Sequence, residues 1–432
     1  MSSGGCQAAD KIIECSLVFL LIFTPLALGT VQPWSIFIMR ITVVVALIAW
    51  LLKLFTHPRI HTFTLPRINV ELRTIDLAIL AFLGVAAFST FAVSAYKHQS
   101  LDWFTNLTAY TVLYFIIVNN IKTESQIKRL IGAMLTAGTI AGIYGIFQYF
   151  DIFLPLLPHN PHDSRVMSTY YNANHYAGFL VMVTPLAISF FLFSRSWWKI
   201  LIFGLLSVLL VANLALSFSL GNFAFGASMI FLLLVIIWSK KWEILTRRIL
   251  PAVAGFLILA FFVMLITSPL VSRYPLTKRY YEMLNLVKQD LTHGRFLIWG
   301  SGLKILSDHL FSGVGLGLFS LVFSKYRPVN FTRFVNYAHS DYIQISSDMG
   351  IVGLGIYLII IIALLLKGLK ALKQTNQYNQ AMVIGVMTAL FGAIIRSLWD
   401  SNLFMLQSLS IYFFLLMGIL MSITKGIKSS RP

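Results

Sequence analysis

A chain of 432 residues in which 58% are hydrophobic and only 11% charged lies far from the roughly 25% charged content of soluble domains, which excludes a soluble globular enzyme and indicates a polytopic membrane protein. The formal net charge of +18 does not point to nucleic acid, because the basic residues sit in short clusters between apolar runs, a pattern that sets membrane topology. Cys6 and Cys15 precede the first apolar run without metal-ligand or disulfide-framework spacing.

Apolar runs fall at 16–30, 34–55, 75–95, 105–121, 130–150, 176–194, 199–217, 221–238, 249–269, 349–366, 381–396 and 403–424. Most are near the 17 to 25 residues that a helix needs to cross about 30 Å of hydrocarbon, so the expected fold is an all-α polytopic membrane protein of about twelve spans. The first run passes directly into this series with no cleavage site for a secretory signal. Lysine and arginine crowd the even-numbered connections and both termini, twenty of them from Lys11 to Arg431. The short odd-numbered connections carry only Lys97, Arg165 and the helix-end Arg396. That imbalance predicts cytoplasmic termini.

No internal repeat or soluble domain is evident, and the expected organisation is a single transmembrane domain over 1–432. One long external loop, 273–348, separates spans nine and ten. Within it, GRFLIWGSGLKILSD has apolar residues at helical spacing, with Arg295 and Trp299 on one face. FSGVGLGLF, 311–319, reads as a close-packed turn. SDYIQISSD, from Ser340, reads as a short helix leading into span ten, with Gly350, Gly353 and Gly355 as small packing residues.

The loop carries nine basic residues against five acidic ones, which favours an anionic ligand. Arg295 is either an arginine meeting headgroups on an amphipathic helix or a bidentate phosphate ligand. His339 is either a structural histidine or a general base, since an imidazole with an ordinary pKa near 6.5 accepts a hydroxyl proton at physiological pH. Asp341 or Tyr342 would orient its ring, whereas His293 has no such partner nearby in sequence. RVMSTYYNANHYAGFL, 165–180, places Asn172, Asn174 and His175 where span six enters the bilayer, with Asn174 as a candidate N-cap and the helix terminus able to attract an anion. Arg40 falls inside span two, where an arginine is costly unless it functions or snorkels outward. Arg396 and Asp400, four apart, are expected to pair. No external Asp-x-Asp, metal-ligand histidine spacing, G-x-S-x-G or Walker motif is present, so neither metal nor nucleotide cofactor is expected.

Together these stretches resemble the O-antigen ligase and polymerase superfamily. RVMSTYYNANHYAGFL is similar to its Gly-Thr-Phe-x-Asn-x-Asn-His-Phe-Ala-Gly element. The run 294–328 with NYAHSDYIQISSDMGIVG resembles its outer loop, and RSLWDSNLF, 396–404, its late-helix motif. The resemblance implies a GT-C-like, metal-independent, inverting glycosyltransferase, most like an O-antigen ligase, in the bacterial inner membrane with its active site facing the periplasm. The donor would be a glycan on undecaprenyl pyrophosphate and the acceptor a lipid A-core sugar hydroxyl. By position, His339 matches the histidine that activates the hydroxyl and Arg295 an arginine that contacts the donor pyrophosphate. Members usually have Ser-Arg-Gly between spans seven and eight, where this chain reads Ser219-Leu220-Gly221, so Arg40, Arg165 or Arg327 would replace the missing cation. Ser340 stands where an asparagine is usual.

Within the class, an O-antigen polymerase or a protein O-oligosaccharyltransferase is the alternative. Outside it stands a secondary transporter of an anionic solute. Transporters often break paired helices near the midplane, whereas the polar candidates here lie at span ends and in one loop.

Overall fold

The computed structural model describes residues 3–55, 74–150, 152, 165–251, 294–329, 331–332, 334–373, 377–401 and 406–429. Among them every regular element is helical. In chain order these are α1 (Ser3–Leu26), α2 (Pro33–Phe55), α3 (Thr74–Phe88, ending in a π turn at Ser89–Val93), α4 (Lys97–Asn120) and α5 (Glu124–Tyr149). Then come α6 (Ala173–Phe193), α7 (Trp197–Leu216), α8 (Gly221–Trp238) and α9 (Trp242–Ile244). The last five are α10 (Phe296–Asp308), α11 (Phe319–Tyr326), α12 (Asp341–Leu372), α13 (Gln377–Arg396) and α14 (Gln407–Ser429).

Nine of these helices, with α3 counted through its π turn, are long and apolar enough to cross a bilayer, and α13 is a shorter apolar helix. Among the described residues this establishes a polytopic membrane protein. It differs from the expected twelve spans because α1 carries Asp10, Lys11 and Glu14 in its first half, leaving a shorter apolar stretch. The expected ninth span, 249–269, lies almost wholly outside the described residues, as do 273–293 and His293.

Helices apolar on every side belong in the middle of a bundle, and helices with one packed face at its edge. α6 and α14 are buried along nearly their whole length, with α13 packed against both, while α2 and α7 expose most of their surface. Small residues let the central helices approach closely: a side-chain carbon added at Gly392 of α13 would lie 2.7 Å from Val181 of α6. α12 kinks at Gly350, whose φ of 68° and ψ of −172° suit only glycine. Of the glycines expected to pack closely, Gly350 does so, against the backbone of Leu310 and Phe311, whereas nothing packs within 4 Å of the position where Gly355 would carry a side chain.

Polar contacts join connections that the charge pattern assigns to the same side. At the basic end Lys53 pairs with Asp10, Arg129 with Glu14, and Lys373 lies over the Trp238 ring. At the other end Arg40 pairs with Asp102, Gln99 donates to the Gly317 carbonyl, and Ser219 donates to Asn174.

Candidate functional site

Four segments meet at the end of the bundle opposite the basic connections: the start of α6, the α7–α8 turn, the residues flanking α10 and α12, and the turn after α13. α13 ends at Arg396, and Asp400 lies four residues on. The Arg396 Nη2 donates to Asp400 Oδ2 at 2.6 Å, and the two side chains are 2% and 5% exposed. The same nitrogen donates to the Asn174 carbonyl. A buried guanidinium needs such partners, because several kcal/mol of desolvation must otherwise go uncompensated. It also needs room. A side-chain carbon at Gly178, one turn into α6, would lie 2.7 Å from Arg396 Nη1, so the glycine of the Asn-His-Tyr-Ala-Gly run makes space for the guanidinium.

The N-cap of α6 is Asn172, whose side-chain oxygen accepts from the Asn174 amide at 2.7 Å. Asn174, expected as the cap, is instead the second helical residue. Its side chain accepts from Ser219 Oγ at 2.8 Å and so ties α6 to the α7–α8 turn. A carbon added at Gly221 of this turn would lie 3.5 Å from Arg396 Nε. The guanidinium seen against Ser219-Leu220-Gly221 is therefore that of Arg396. The hydrogen bonds of Arg40 go to Asp102 and Asn106. Arg165 is half-buried on the segment before α6, and Arg327 is exposed at the end of α11.

His339 occupies a left-handed backbone conformation at φ 49°, uncommon for a residue with a side chain and often found at functional sites. Its neighbours hold it there. The Ala338 amide donates to Gln344 Oε1 and the Ala338 carbonyl accepts from Trp299 Nε1. The Ser340 amide donates to Ser401 Oγ, and the Asp341 amide to the Ser397 carbonyl at 2.9 Å. His339 Nδ1 is buried 3.9 Å from Asp400 Oδ1, while the side chain as a whole is 36% exposed, so the exposed edge of the ring is the opposite one. Tyr342 does not orient the ring: its hydroxyl donates to the Ile394 carbonyl on α13. The carboxylate facing His339 is that of Asp400, brought in from another segment.

Arg295 directly precedes α10, is 3% exposed, and donates Nη1 to the Trp399 carbonyl. The largest single influence on Asp400, burial, pushes its carboxyl up. Arg396, His339, Arg295 and His175 together outweigh it and hold the carboxyl well below the usual carboxylate range. Arg295, His339 and His175 therefore share one electrostatic neighbourhood. Among the described residues no set of His, Cys, Asp and Glu side chains is arranged to hold a metal ion.

A family model described as O-antigen ligase matches residues 205–358. Over that stretch, a little over a third of its length, the chain is similar to the O-antigen ligase family. A comparison with curated proteins gives no match.

The matched O-antigen ligase stretch contains Arg295 and His339; Arg396, Asp400 and the start of α6 lie outside it. The spacing of Arg396 and Asp400 in the sequence revealed the pair, and nothing beyond it. Its second engagement, with His339 and Asn174, joins residues 61 and 222 positions apart in sequence, which local spacing does not reveal. The signal that was available is the Gly178 position in the Asn-His-Tyr-Ala-Gly run, which marks a close approach.

Proposed function

We propose that this chain is a metal-independent, inverting glycosyltransferase of GT-C-like architecture. It would transfer a glycan from undecaprenyl pyrophosphate to a lipid A-core sugar hydroxyl, as an O-antigen ligase, at the periplasmic face of the bacterial inner membrane. The observation that carries the reading is His339 on a strained backbone, its buried Nδ1 turned toward an ionised Asp400 and its other edge open, with Arg295 and Arg396 beside that carboxylate.

A carboxylate facing Nδ1 favours the tautomer that carries its proton there and leaves Nε2 as the base. In this mechanism Nε2 takes the acceptor hydroxyl proton as the oxygen attacks the anomeric carbon. The bond from that carbon to the pyrophosphate oxygen breaks, and its electron pair leaves with the pyrophosphate. Asp400 stabilises the imidazolium so formed, and the positive charge of Arg295 stabilises the departing anion. Pyrophosphate held by cations leaves without a general acid. The Trp399 indole N–H, on the residue whose carbonyl accepts from Arg295, is buried and has no hydrogen-bond partner among the described residues.

The test is reconstitution of purified protein with a pyrophosphate-linked glycan donor and candidate acceptors, followed by mass analysis. Mass gained by lipid A-core supports the ligase. A longer carrier-linked chain would make the enzyme a polymerase, a glycosylated protein acceptor would make it an O-oligosaccharyltransferase, and solute uptake without product would make it a transporter.

A further inference from the structure

α10 presents two different surfaces. Ile298, Ser301, Gly302 and Ile305 are buried against α11 and α12. The opposite stripe is largely apolar and, among the described residues, uncovered: Phe296, Gly300 and Leu303 recur at helical spacing with the small polar Ser307 next in line, Leu303 is 54% exposed, and the stripe runs on into Leu310 and Phe311, the latter 72% exposed. Lys304 and Asp308 form a charged edge beside it. An apolar stripe bordered by charge is the pattern of a helix lying in a membrane interface.

The height of this helix is fixed by the kink in α12. The break at Gly350 frees backbone groups of α12, and the segment after α10 takes them up. The Ile351 amide donates to the Leu310 carbonyl at 2.8 Å, the Val314 amide to Ser347 at 2.9 Å, and the Gly315 amide to Asp348 at 3.1 Å. A side-chain carbon at Gly350 would meet the Phe311 carbonyl at 2.3 Å, so the two backbones are in direct contact. From Ile351 onward α12 exposes Ile351, Val352, Ile359, Ile362 and Leu366, the side chains of a helix crossing hydrocarbon. Leu310 and Phe311 are thus level with the first membrane-facing residues of α12, and the uncovered stripe of α10 continues that lipid-facing wall.

We propose that Phe296–Phe311 is an interfacial anchor whose apolar stripe is covered by the acyl-chain boundary of the leaflet on the His339 side, with Lys304 at the level of the lipid phosphates. The partner is the bilayer itself. Because Arg295 directly precedes this helix, the anchor sets the height of its guanidinium above the hydrocarbon, whatever reaction the site performs.

The experiment uses the full chain with Cys6→Ser and Cys15→Ser, reconstituted into vesicles of phosphatidylethanolamine and phosphatidylglycerol. Nitroxide labels are placed singly at Leu303→Cys, Ser307→Cys and Phe311→Cys on the stripe, and at Ser324→Cys on the exposed side of α11. Collision rates with oxygen, which partitions into lipid, and with a water-soluble nickel complex are then measured. At the three stripe positions the ratio of oxygen to nickel accessibility is expected to exceed that at Ser324 several-fold. Ser307→Cys exchanges one small exposed side chain for another and keeps the test valid should a larger replacement disturb folding. Nickel accessibility at the stripe equal to that at Ser324 overturns the proposal. Loss of access to both reagents indicates protein cover and overturns it, and spin–spin broadening, the mark of a second copy on the stripe, does the same.

Discussion

Where the basic connections gather, Lys53 meets Asp10 with side chains 17% and 41% exposed, and Arg129 meets Glu14 with 54% and 17% exposed. At the opposite end Arg396 meets Asp400 at 2% and 5%. The chemical types are the same and the surroundings are not. Solvated pairs contribute typically 0 to about 1 kcal/mol, so those at the basic end chiefly record topology. A dry pair costs more to desolvate than it returns in folding unless its geometry and further hydrogen bonds compensate. Such a pair, beside a histidine with positive φ, sets this end of the bundle apart from the basic one, and under the proposed function its charge would serve the reaction and not stability.

This contrast can be broken at several points. Replacing His339 with Ala should lower glycan transfer by roughly 10² to 10⁴, the usual worth of a general base, while leaving the thermal transition in detergent unchanged. Wild-type turnover in that variant would remove the proposed mechanism. Asp400→Asn strands the Arg396 guanidinium and should destabilise the fold by about 3 to 5 kcal/mol, seen as a large drop in melting temperature. Gly178→Ala drives a methyl group to 2.7 Å from Arg396 Nη1. It should cost about 1 to 3 kcal/mol, whereas Gly132→Ala, with no atom within 4 Å of the new carbon, should cost nothing measurable. The smallest effect is expected for Asp10→Asn at the basic end, below about 1 kcal/mol in the same melting assay; a loss matching that of Asp400→Asn would erase the distinction between the two ends.

Much of the fold was legible because lipid imposes a single strong rule. Long apolar runs become helices, and Lys53, Lys122 and Lys373 mark one end of the bundle. Three positive-φ glycines, Gly313, Gly315 and Gly317, form the close-packed turn that their spacing announced. Arg295 and His339 were legible as chemistry-bearing residues because their loop interrupts the hydrophobic pattern. Which carboxylate faces the imidazole was not legible. Asp341 is two residues from His339 and Asp400 is 61, yet the chain turn at Ser397–Ser401 brings the distant one to 3.9 Å while the near one starts α12. Proximity along the chain is a poor guide where two turns are laced together by backbone hydrogen bonds. The exchange of Asn174 for Asn172 as cap has a local cause: the extended backbone at Asn172, φ −146° and ψ 129°, lets its side chain reach back to the amide two residues on.

The left-handed torsion at His339 has a consequence for how the site would meet its substrate. The direction in which the ring leaves the main chain is dictated by torsions that the bonds at Ala338 and Ser340 lock in place, and less by a side chain free to choose among rotamers. On the proposed mechanism the base would be aimed before any sugar arrives, and its orientation would draw nothing from the affinity for the glycan. An imidazole moved one residue either way, onto ordinary right-handed or extended backbone, would point elsewhere.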